Sequence, residues 1–357
     1  MTDFLVVDGH EDIAYNALTF GRNYRKSALH TRQAERGSAI PDRFGSTLLG
    51  KPEWLLGRVA VIFGTIFTRP AAFSLGQWDS QTYTSAQQAH SIGRSQLDYY
   101  HRLVEEDPLF SLIGSRADLD AVVDSWGQPL EQRRIGLVPL MEGADPIREP
   151  EELELWAELG LRIVGPSWAA TRYAGGTYGG SHGLTAEGHA LLEIMAGYNL
   201  ILDLSHLSHQ AFYEALDTFE GRIIASHTNP HRFLPGERGF SDEMIAMVAE
   251  RNGVIGTVFY NRFLKPGWRR GEARVPVDLV VDVIDHICQV TGSAAHVGLG
   301  TDFDGDFGVE HAPAEIDTVA DVHRLAGPLR ERGFSADDIA AVMGGNWLRV
   351  LREALPE

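Results

Sequence analysis

The chain has 357 residues, of which 44% are hydrophobic and 22% are charged, so it can bury a large core and has the composition of an ordered globular protein. Its 31 basic and 49 acidic residues give a formal net charge of −18, which disfavours binding to nucleic acid or to an anionic membrane. The length alone does not decide between one domain and two, because α/β barrels commonly reach about 250 residues and more.

The single cysteine, Cys288, excludes an intrachain disulfide, and any metal site must therefore rely mainly on nitrogen and oxygen ligands. The N-terminal residues lack the basic and apolar segments of a signal peptide, and no apolar run approaches the length that crosses a bilayer. We expect a cytoplasmic protein with no membrane partner.

Eight short apolar runs have the length and composition of strands that are buried on both faces. They lie at residues 4–7, 59–67, 135–141, 161–164, the run leading into 203, 223–226, 254–258 and 297–300. Segments with helical spacing alternate with them, at residues 85–106, 117–125, 153–159, 188–195, 241–250 and 277–290. This alternation predicts an α/β fold, a (β/α)8 TIM barrel of the metal-dependent hydrolase type.

No shift of composition along the chain indicates a second domain. We therefore predict a single barrel domain over residues 1–357, with a helical insertion around 68–130 and helices from 335 to 351 that cover the barrel. Residues 22–51 are polar and without clear period, which predicts a long loop. The glycine-rich segment 173–183 predicts a mobile loop and contains no phosphate-binding motif.

Side chains that can bind metal follow several of these strands. His206 and His227 end two successive strands, and parallel strands place such ends side by side at the edge where α/β enzymes build their sites. Either histidine alone could simply cap the next helix, but two in successive units favour a metal ion. His10 and Asp12 can chelate one ion, because residues two apart in an extended chain point to the same face. Glu142 could share the metals or act as an acid at a helix N-terminus.

Collected, the strand ends supply three histidines and three carboxylates. These are His10, Asp12, Glu142, His206, His227 and Asp302. One carboxylate can bridge two ions, the ions can acidify a water molecule, and a further carboxylate can take its proton. The set predicts a hydrolytic site with two metal ions, in which Asp203 is close enough to orient an imidazole.

Five motifs in this order resemble those of the membrane (renal) dipeptidase family, metallopeptidase family M19, within the amidohydrolase-type barrels. The resemblance covers nearly the whole chain. The motifs are DGHED at 8–12, MEG at 141–143, LDLSH at 202–206, ASH at 225–227 and GLGTDFDG at 298–305.

The resemblance implies a role for each matching residue. His10 and Asp12 would bind one zinc ion, His206 and His227 the other, and Glu142 would bridge them. Asp302 would handle the proton of a metal-bridging hydroxide that attacks the peptide bond. The pocket residues follow in the same way: Arg238 would hold the substrate carboxylate, and Tyr260 and Gly305 would line the pocket.

The sequence departs from the family pattern at two pocket positions. Trp168 stands where better-known members carry a histidine that contacts the substrate carbonyl, and Phe67 stands where they carry a tyrosine. We expect Trp168 to contact substrate and narrow the pocket. The mammalian members are secreted, disulfide-linked and lipid-anchored, and the chain lacks the cysteines and the hydrophobic tail of those proteins.

The function predicted from the sequence is that of a binuclear zinc dipeptidase, with a dipeptide as substrate and with D-residues accepted at its C-terminal position. The family further suggests a homodimer. One alternative is an amidohydrolase of the same fold that acts on a non-dipeptide amide or a lactone. The other is a non-catalytic relative that binds metal or ligand only, although all six expected site residues are present.

Overall fold

The computed structural model describes residues 4–357. Eight strands in these residues form a barrel in which all paired neighbours are parallel. They are β1 (Val6–Glu11), β2 (Val59–Phe67), β3 (Ile135–Glu142), β4 (Ile163–Gly165), β5 (Ile201–Asp203), β6 (Ile223–Ile224), β7 (Ile255–Thr257) and β8 (Val297–Leu299). Each predicted apolar run overlaps one of these strands, and the predicted barrel is confirmed.

The order of strands around the sheet is β6-β5-β4-β3-β2-β1-β8-β7. A parallel bridge between Ala225 and Ile255 joins the two ends, so that the barrel is nearly closed. The register aligns the carboxyl ends of neighbouring strands: Phe67 is opposite Glu142, and Glu142 is opposite Gly165. Residues that follow these strands are therefore brought to one rim.

Two apolar clusters show how the strands are buried on both faces. Val6 and Ile62 belong to the cluster between the strands and the outer helices. Their neighbours Val7 and Phe63 belong to the second cluster, which fills the barrel interior together with Trp347. This alternation follows from the period of two in a strand. The indole N–H of Trp347 donates to the carbonyl of Leu299 (2.9 Å), so the last helix is anchored to the barrel.

Fifteen α-helices surround the strands in the described residues. They are Ile13–Phe20, Ala28–Glu35, Ile40–Phe44, Lys51–Leu56, Ala86–Glu106, Arg116–Ser125, Leu153–Glu158, Ala186–Gly197, His209–Thr218, Asp242–Glu250, Asn261–Leu264, Asp278–Thr291, Ala326–Glu331, Ala336–Ala340 and Asn346–Ala354. Serine caps set several of their starts, as Ser85 and Ser241 do by accepting a backbone N–H three residues later.

The prediction of a long loop over residues 22–51 is wrong. Two helices lie there and a third begins at Lys51, and the longest begins where the Ser27 hydroxyl caps its N-terminus. Arg22 forms a buried ion pair with Glu35 (2.8 Å) and donates to the carbonyl of Gly45 (2.7 Å). Long-range polar contacts of this kind stabilise the segment. Because they do not depend on apolar residues at regular spacing, the sequence shows no helical period there.

The prediction of a mobile loop over residues 173–183 is also wrong. Strands Ala174–Gly176 and Gly180–Leu184 form an antiparallel hairpin. The backbone N–H of Thr177 donates to the carbonyl of His206 (2.8 Å), which fixes the hairpin tip beside the barrel rim. The same contact places Tyr178 over the rim.

The segment between β2 and β3 holds the helices Ala86–Glu106 and Arg116–Ser125, together with short strands that the sequence pattern did not indicate. One of these, Phe110–Leu112, pairs in parallel with β3 outside the ring of eight. Within residues 4–357, none of the helices combines the length and the apolar composition that a membrane crossing requires.

Candidate active site

A cavity of about 970 Å³ opens at the carboxyl ends of the barrel strands. All but one of the predicted site residues line it. These are Asp12, Glu142, Trp168, His206, His227, Arg238, Tyr260, Asp302 and Gly305. The exception is His10, whose side chain lies fully buried beneath the others.

One group of candidate ligands combines the ends of β3, β5 and β6. The Nε2 atoms of His206 and His227 are 3.0 Å apart, and Oε1 of Glu142 lies 3.1 Å from the first and 3.4 Å from the second. Two ring nitrogens at this distance can share at most one proton. A cation between them would satisfy both lone pairs and the carboxylate oxygen at once, which is the nitrogen and oxygen donor set that zinc accepts.

A second group lies on the other side of Glu142. Its Oε2 atom is 3.7 Å from Nε2 of His10, and Oδ2 of Asp12 is 3.9 Å from the same nitrogen. Candidate ligand atoms of His10, Asp12 and Asp302 lie within 4.8 Å of one another. The two oxygens of Glu142 therefore face different groups.

A serine between the groups fixes the orientation of two imidazoles. The Ser226 hydroxyl donates to Oδ2 of Asp203 (2.6 Å), and its oxygen lies 2.9 Å from Nδ1 of His227 and 3.2 Å from Nδ1 of His10. Because its one proton goes to Asp203, both imidazoles must donate from Nδ1. Their Nε2 lone pairs then point into the site, as metal coordination requires.

Burial and charge in the site favour a bound cation. Nε2 of His10 and Nδ1 of His206 are buried without a hydrogen-bond partner among residues 4–357. Burial opposes protonation of His10, but the charges of Glu142, Asp12 and Asp302 together raise the pKa of His10 to about 9. Burial and the charge of Arg238 lower the pKa of His206 to about 4. The residues present thus fit divalent metal ions, which would replace the proton on His10.

Asp302 lies where the chain turns sharply after β8. Its φ of 62° is in the left-handed region, and its backbone N–H donates to the carbonyl of His10 (3.1 Å). Burial raises the pKa of the Asp302 carboxyl well above its usual value. A Cβ on Gly305 would lie 2.2 Å from Oδ1 of Asp302 and 2.7 Å from Oδ2 of Asp12, so only glycine leaves room for both carboxylates.

Arg238 is buried at the other wall of the cavity. Its guanidinium donates to the carbonyls of Ser205 (2.9 Å) and His227, and its Nε has no partner among the described residues. No carboxylate of residues 4–357 lies within 4 Å of it. Burial lowers the pKa of Arg238. A buried cation without a counter-ion is costly, and an anionic ligand would offset that cost.

Aromatic side chains form the wall beside His206. The Trp168 ring lies 4.7 Å from that of Tyr178, 5.2 Å from that of Phe67 and 6.2 Å from that of His206. On the opposite side Tyr260 stacks on Phe307, with ring centroids 4.7 Å apart. Sequence reasoning missed Tyr178, because its position depends on the hairpin and its contact with the His206 loop.

Three further polar residues lie near the site without being candidate metal ligands. Asp203 contacts no metal-site imidazole directly and acts through Ser226, which sequence reasoning missed. Asp304 accepts hydrogen bonds from Tyr24 (2.8 Å) and the backbone of Leu48 (2.9 Å), so it has a structural role. His182 has an exposed side chain on the hairpin and does not line the cavity.

Comparison with known proteins gives the same family as the motifs. Residues 1–355 match the model of the membrane dipeptidase family, peptidase family M19. An uncharacterized protein from the pqqA 5′ region of Klebsiella pneumoniae is 31% identical over 231 residues, which cover 62% of this chain and 83% of that protein. Dipeptidase aclJ of Aspergillus oryzae is 29% identical over 268 residues, or 72% of this chain and 59% of that protein.

A solved structure has the same fold over the whole chain. It is a metallopeptidase from Rhodobacter sphaeroides liganded with a phosphinate mimic of the dipeptide L-Ala-D-Ala. It superimposes with a TM-score of 0.79 at 24% identity, over 99% of this chain and all of the other. The family match over nearly the full sequence and the barrel with its buried histidines and carboxylates lead to one conclusion: the chain belongs to peptidase family M19, the membrane dipeptidases, which are metallopeptidases.

Proposed function

We propose that the protein is a binuclear zinc dipeptidase that hydrolyses the peptide bond of a dipeptide and accepts a D-residue at the C-terminal position. The observation that carries this proposal is the division of Glu142 between two groups of ligands. One oxygen faces His206 and His227, and the other faces His10. A carboxylate between two such groups is the arrangement expected of a bridging ligand.

In this proposal His10 and Asp12 hold one ion, His206 and His227 hold the other, and Glu142 is shared. Divalent ions bound there would polarise the scissile carbonyl and supply a water nucleophile at neutral pH. Ser226 and Asp203 keep the two imidazoles oriented, and Thr65 donates to Oδ1 of Asp12 (2.6 Å), which orients the other oxygen toward His10.

Arg238 binds the free carboxylate of the substrate. It is a buried guanidinium without an acidic partner in residues 4–357, and its remaining N–H groups can pair with an anion. Its two bonds to backbone carbonyls hold it against the loops that carry His206 and His227. The carboxylate is thus fixed at a set distance from the candidate ligands, which orients the peptide bond.

Asp302 moves the proton during hydrolysis. Its carboxyl lies within 4.8 Å of candidate ligand atoms of His10 and Asp12, and burial raises its pKa, so that its carboxylate form is a stronger base than an exposed aspartate. A group with these properties can accept a proton from water and deliver it to the departing amine. Trp168 narrows the cavity beside His206 and, having only a neutral N–H to offer, influences which side chains fit rather than metal binding.

Two other functions use the same site. An amidohydrolase acting on a non-dipeptide amide or a lactone would need no free carboxylate, so the unpaired Arg238 favours the dipeptidase. A non-catalytic relative would have no need of Asp302 between the candidate ligands. A single domain over residues 1–357, a homodimer and a cytoplasmic location remain predictions from the sequence.

The test is turnover of the four stereoisomers of Ala-Ala by zinc-loaded protein, with each C-terminal amide as a matched control. We expect hydrolysis of the free dipeptides, including at least one with a D-residue at the C-terminal position, and poor hydrolysis of the amides. Hydrolysis of the amides in preference to every free dipeptide would support the amidohydrolase. No turnover of any of these substrates would support the non-catalytic relative.

A further inference from the structure

The mouth of the cavity carries arginines that neither metal binding nor the carboxylate contact of Arg238 requires. Arg262, Arg269 and Arg270 line the cavity, and their side chains are exposed. They belong to the segment 262–270, RFLKPGWRR, which follows β7 and has four basic residues and no acidic one. This composition is opposite in sign to the net charge of −18 of the whole chain.

In the part of the chain that the structure describes, these arginines have no counter-ion. Among residues 4–357, no carboxylate lies within 4 Å of Arg262, Arg269 or Arg270, whereas the buried Arg69 in the same cavity pairs with Asp79 (3.2 Å) and Asp306 (2.6 Å). Asp306 thus pairs with Arg69, whose single charge it shares with Asp79, and not with any of the three exposed guanidinium groups. The other rim acid, Glu237, accepts the backbone N–H of His209 (2.9 Å).

The segment is held in place, so its positive charges keep a defined position at the mouth. Trp268 is buried, and its indole N–H donates to the carbonyl of Ala273 (2.9 Å). The guanidinium of Arg270 donates to the carbonyl of Asp306 (2.7 Å). With Arg270 partly engaged, the free guanidinium groups are those of Arg262 and Arg269.

We propose that Arg262 and Arg269 select dipeptides that carry a second carboxylate on a side chain. The inference rests on the proposed dipeptidase function and adds the class of substrate. Arg238 holds the terminal carboxylate deep in the cavity, and the acidic side chain extends toward the mouth. A guanidinium presents paired N–H donors that match the two oxygens of a carboxylate, so an acidic side chain is recognised better than its amide.

Because both arginines are exposed, the expected preference is moderate and depends on salt. Two exposed ion pairs of ordinary strength predict a kcat/KM ratio of roughly two- to thirtyfold for an acidic dipeptide over its amide isostere. The Debye screening length falls from about 10 Å at 0.1 M salt to about 3 Å at 1 M. The ratio of kcat/KM for the acidic dipeptide to that for its amide should therefore fall as salt is added.

The experiment compares kcat/KM of the zinc-loaded enzyme for Ala-Asp with Ala-Asn, and for Asp-Ala with Asn-Ala, at low and high salt. The test variant is Arg262→Gln/Arg269→Gln. The control variant is Arg232→Gln/Lys265→Gln, which removes the same charge from nearby residues that line a separate groove of about 630 Å³ and not the cavity.

We expect an acidic preference in at least one of the two pairs, a ratio near one in the test variant, and an unchanged ratio in the control variant. The pair that shows the preference identifies which residue of the dipeptide faces the mouth. A ratio of one or less in the native enzyme would overturn this inference, and so would a ratio retained in the test variant. If neutral dipeptides were still hydrolysed, the proposed dipeptidase function would be unaffected. No hydrolysis of any dipeptide would overturn both.

Discussion

Glu142, which is buried, and Asp302, which is half-buried, are both carboxyl groups of the site, and they differ in what they contact. Glu142 lies between the two groups of candidate ligands, so Glu142→Gln should lower both the metal content and the activity. Asp302 is placed to carry a proton, so Asp302→Asn should keep much of the metal and lose activity. Metal analysis and dipeptide turnover on both variants check this contrast. Hydrolysis at the native rate by Asp302→Asn would remove its role as proton carrier.

Arg238 can be tested by removing its charge while keeping much of its length. Arg238→Met should lower kcat/KM for free dipeptides. The loss should correspond to one charged hydrogen bond, roughly 1.5–3 kcal/mol of transition-state stabilisation. The amidated dipeptides serve as the control, because they should already be poor substrates and change little. Equal kcat/KM values of the native enzyme for free and amidated dipeptides would contradict the proposed contact between Arg238 and the substrate carboxylate.

At the scale of single residues, the sequence predicted those site residues that come directly after strands. His10, Asp12, Glu142, His206 and His227 could be expected at one rim because parallel strands align their carboxyl ends. Residues that reach the site through tertiary contacts could not be found in this way. Tyr178 arrives on a hairpin, and the role of Ser226, which lies within the ASH motif, depends on its contacts with two imidazoles from different strands.

At the scale of elements, Asp203 joins the ends of β5 and β6. Its carboxylate accepts the hydroxyl and backbone N–H of both Ser205 and Ser226, and Ser226 in turn contacts His10 at the end of β1. Three strands thus share one hydrogen-bond network beneath the candidate ligands. Buried networks of this kind hold ligand geometry only when each member has its partner.

Ser226→Ala removes the acceptor of two imidazole N–H groups. We expect zinc affinity to fall by roughly 10- to 100-fold, the usual effect of losing a partner of a metal-binding histidine. Competition for zinc with a chelator measures the change. Ser95→Ala, which removes a hydroxyl on the exposed face of the helix Ala86–Glu106, is the matched control and should leave zinc affinity unchanged. An unaltered affinity in Ser226→Ala would mean that the serine does not position the histidines.

Two elements that the sequence failed to predict are held by polar contacts. The helix Ala28–Glu35 depends on the Ser27 cap and on the ion pair between Arg22 and Glu35, and neither produces a hydrophobic period. The hairpin over Ala174–Gly176 and Gly180–Leu184 is rich in glycine and depends on its bond to the His206 loop. The buried strands were predictable because both of their faces are apolar.

At the scale of the whole molecule, the number and order of strands followed from alternating apolar runs and helical segments. The closure expected of such a barrel depends on little contact, because only a single bridge at Ala225 joins β6 to β7. The net charge of −18 did not reveal the arginines around the cavity mouth, since composition averages over a surface whose local signs differ. A local charge distribution can be predicted only when the spatial positions of residues that are distant in sequence are known.

We propose that two metal ions, joined by Glu142, are needed for hydrolysis of a dipeptide. The most direct measurement is activity against an L-Ala-D-Ala substrate as zinc is added in known equivalents to metal-free protein, with bound zinc determined on the same samples. We predict that binding and activity both saturate at two equivalents per chain. Saturation of both at one equivalent, or full hydrolysis without metal, would contradict the account.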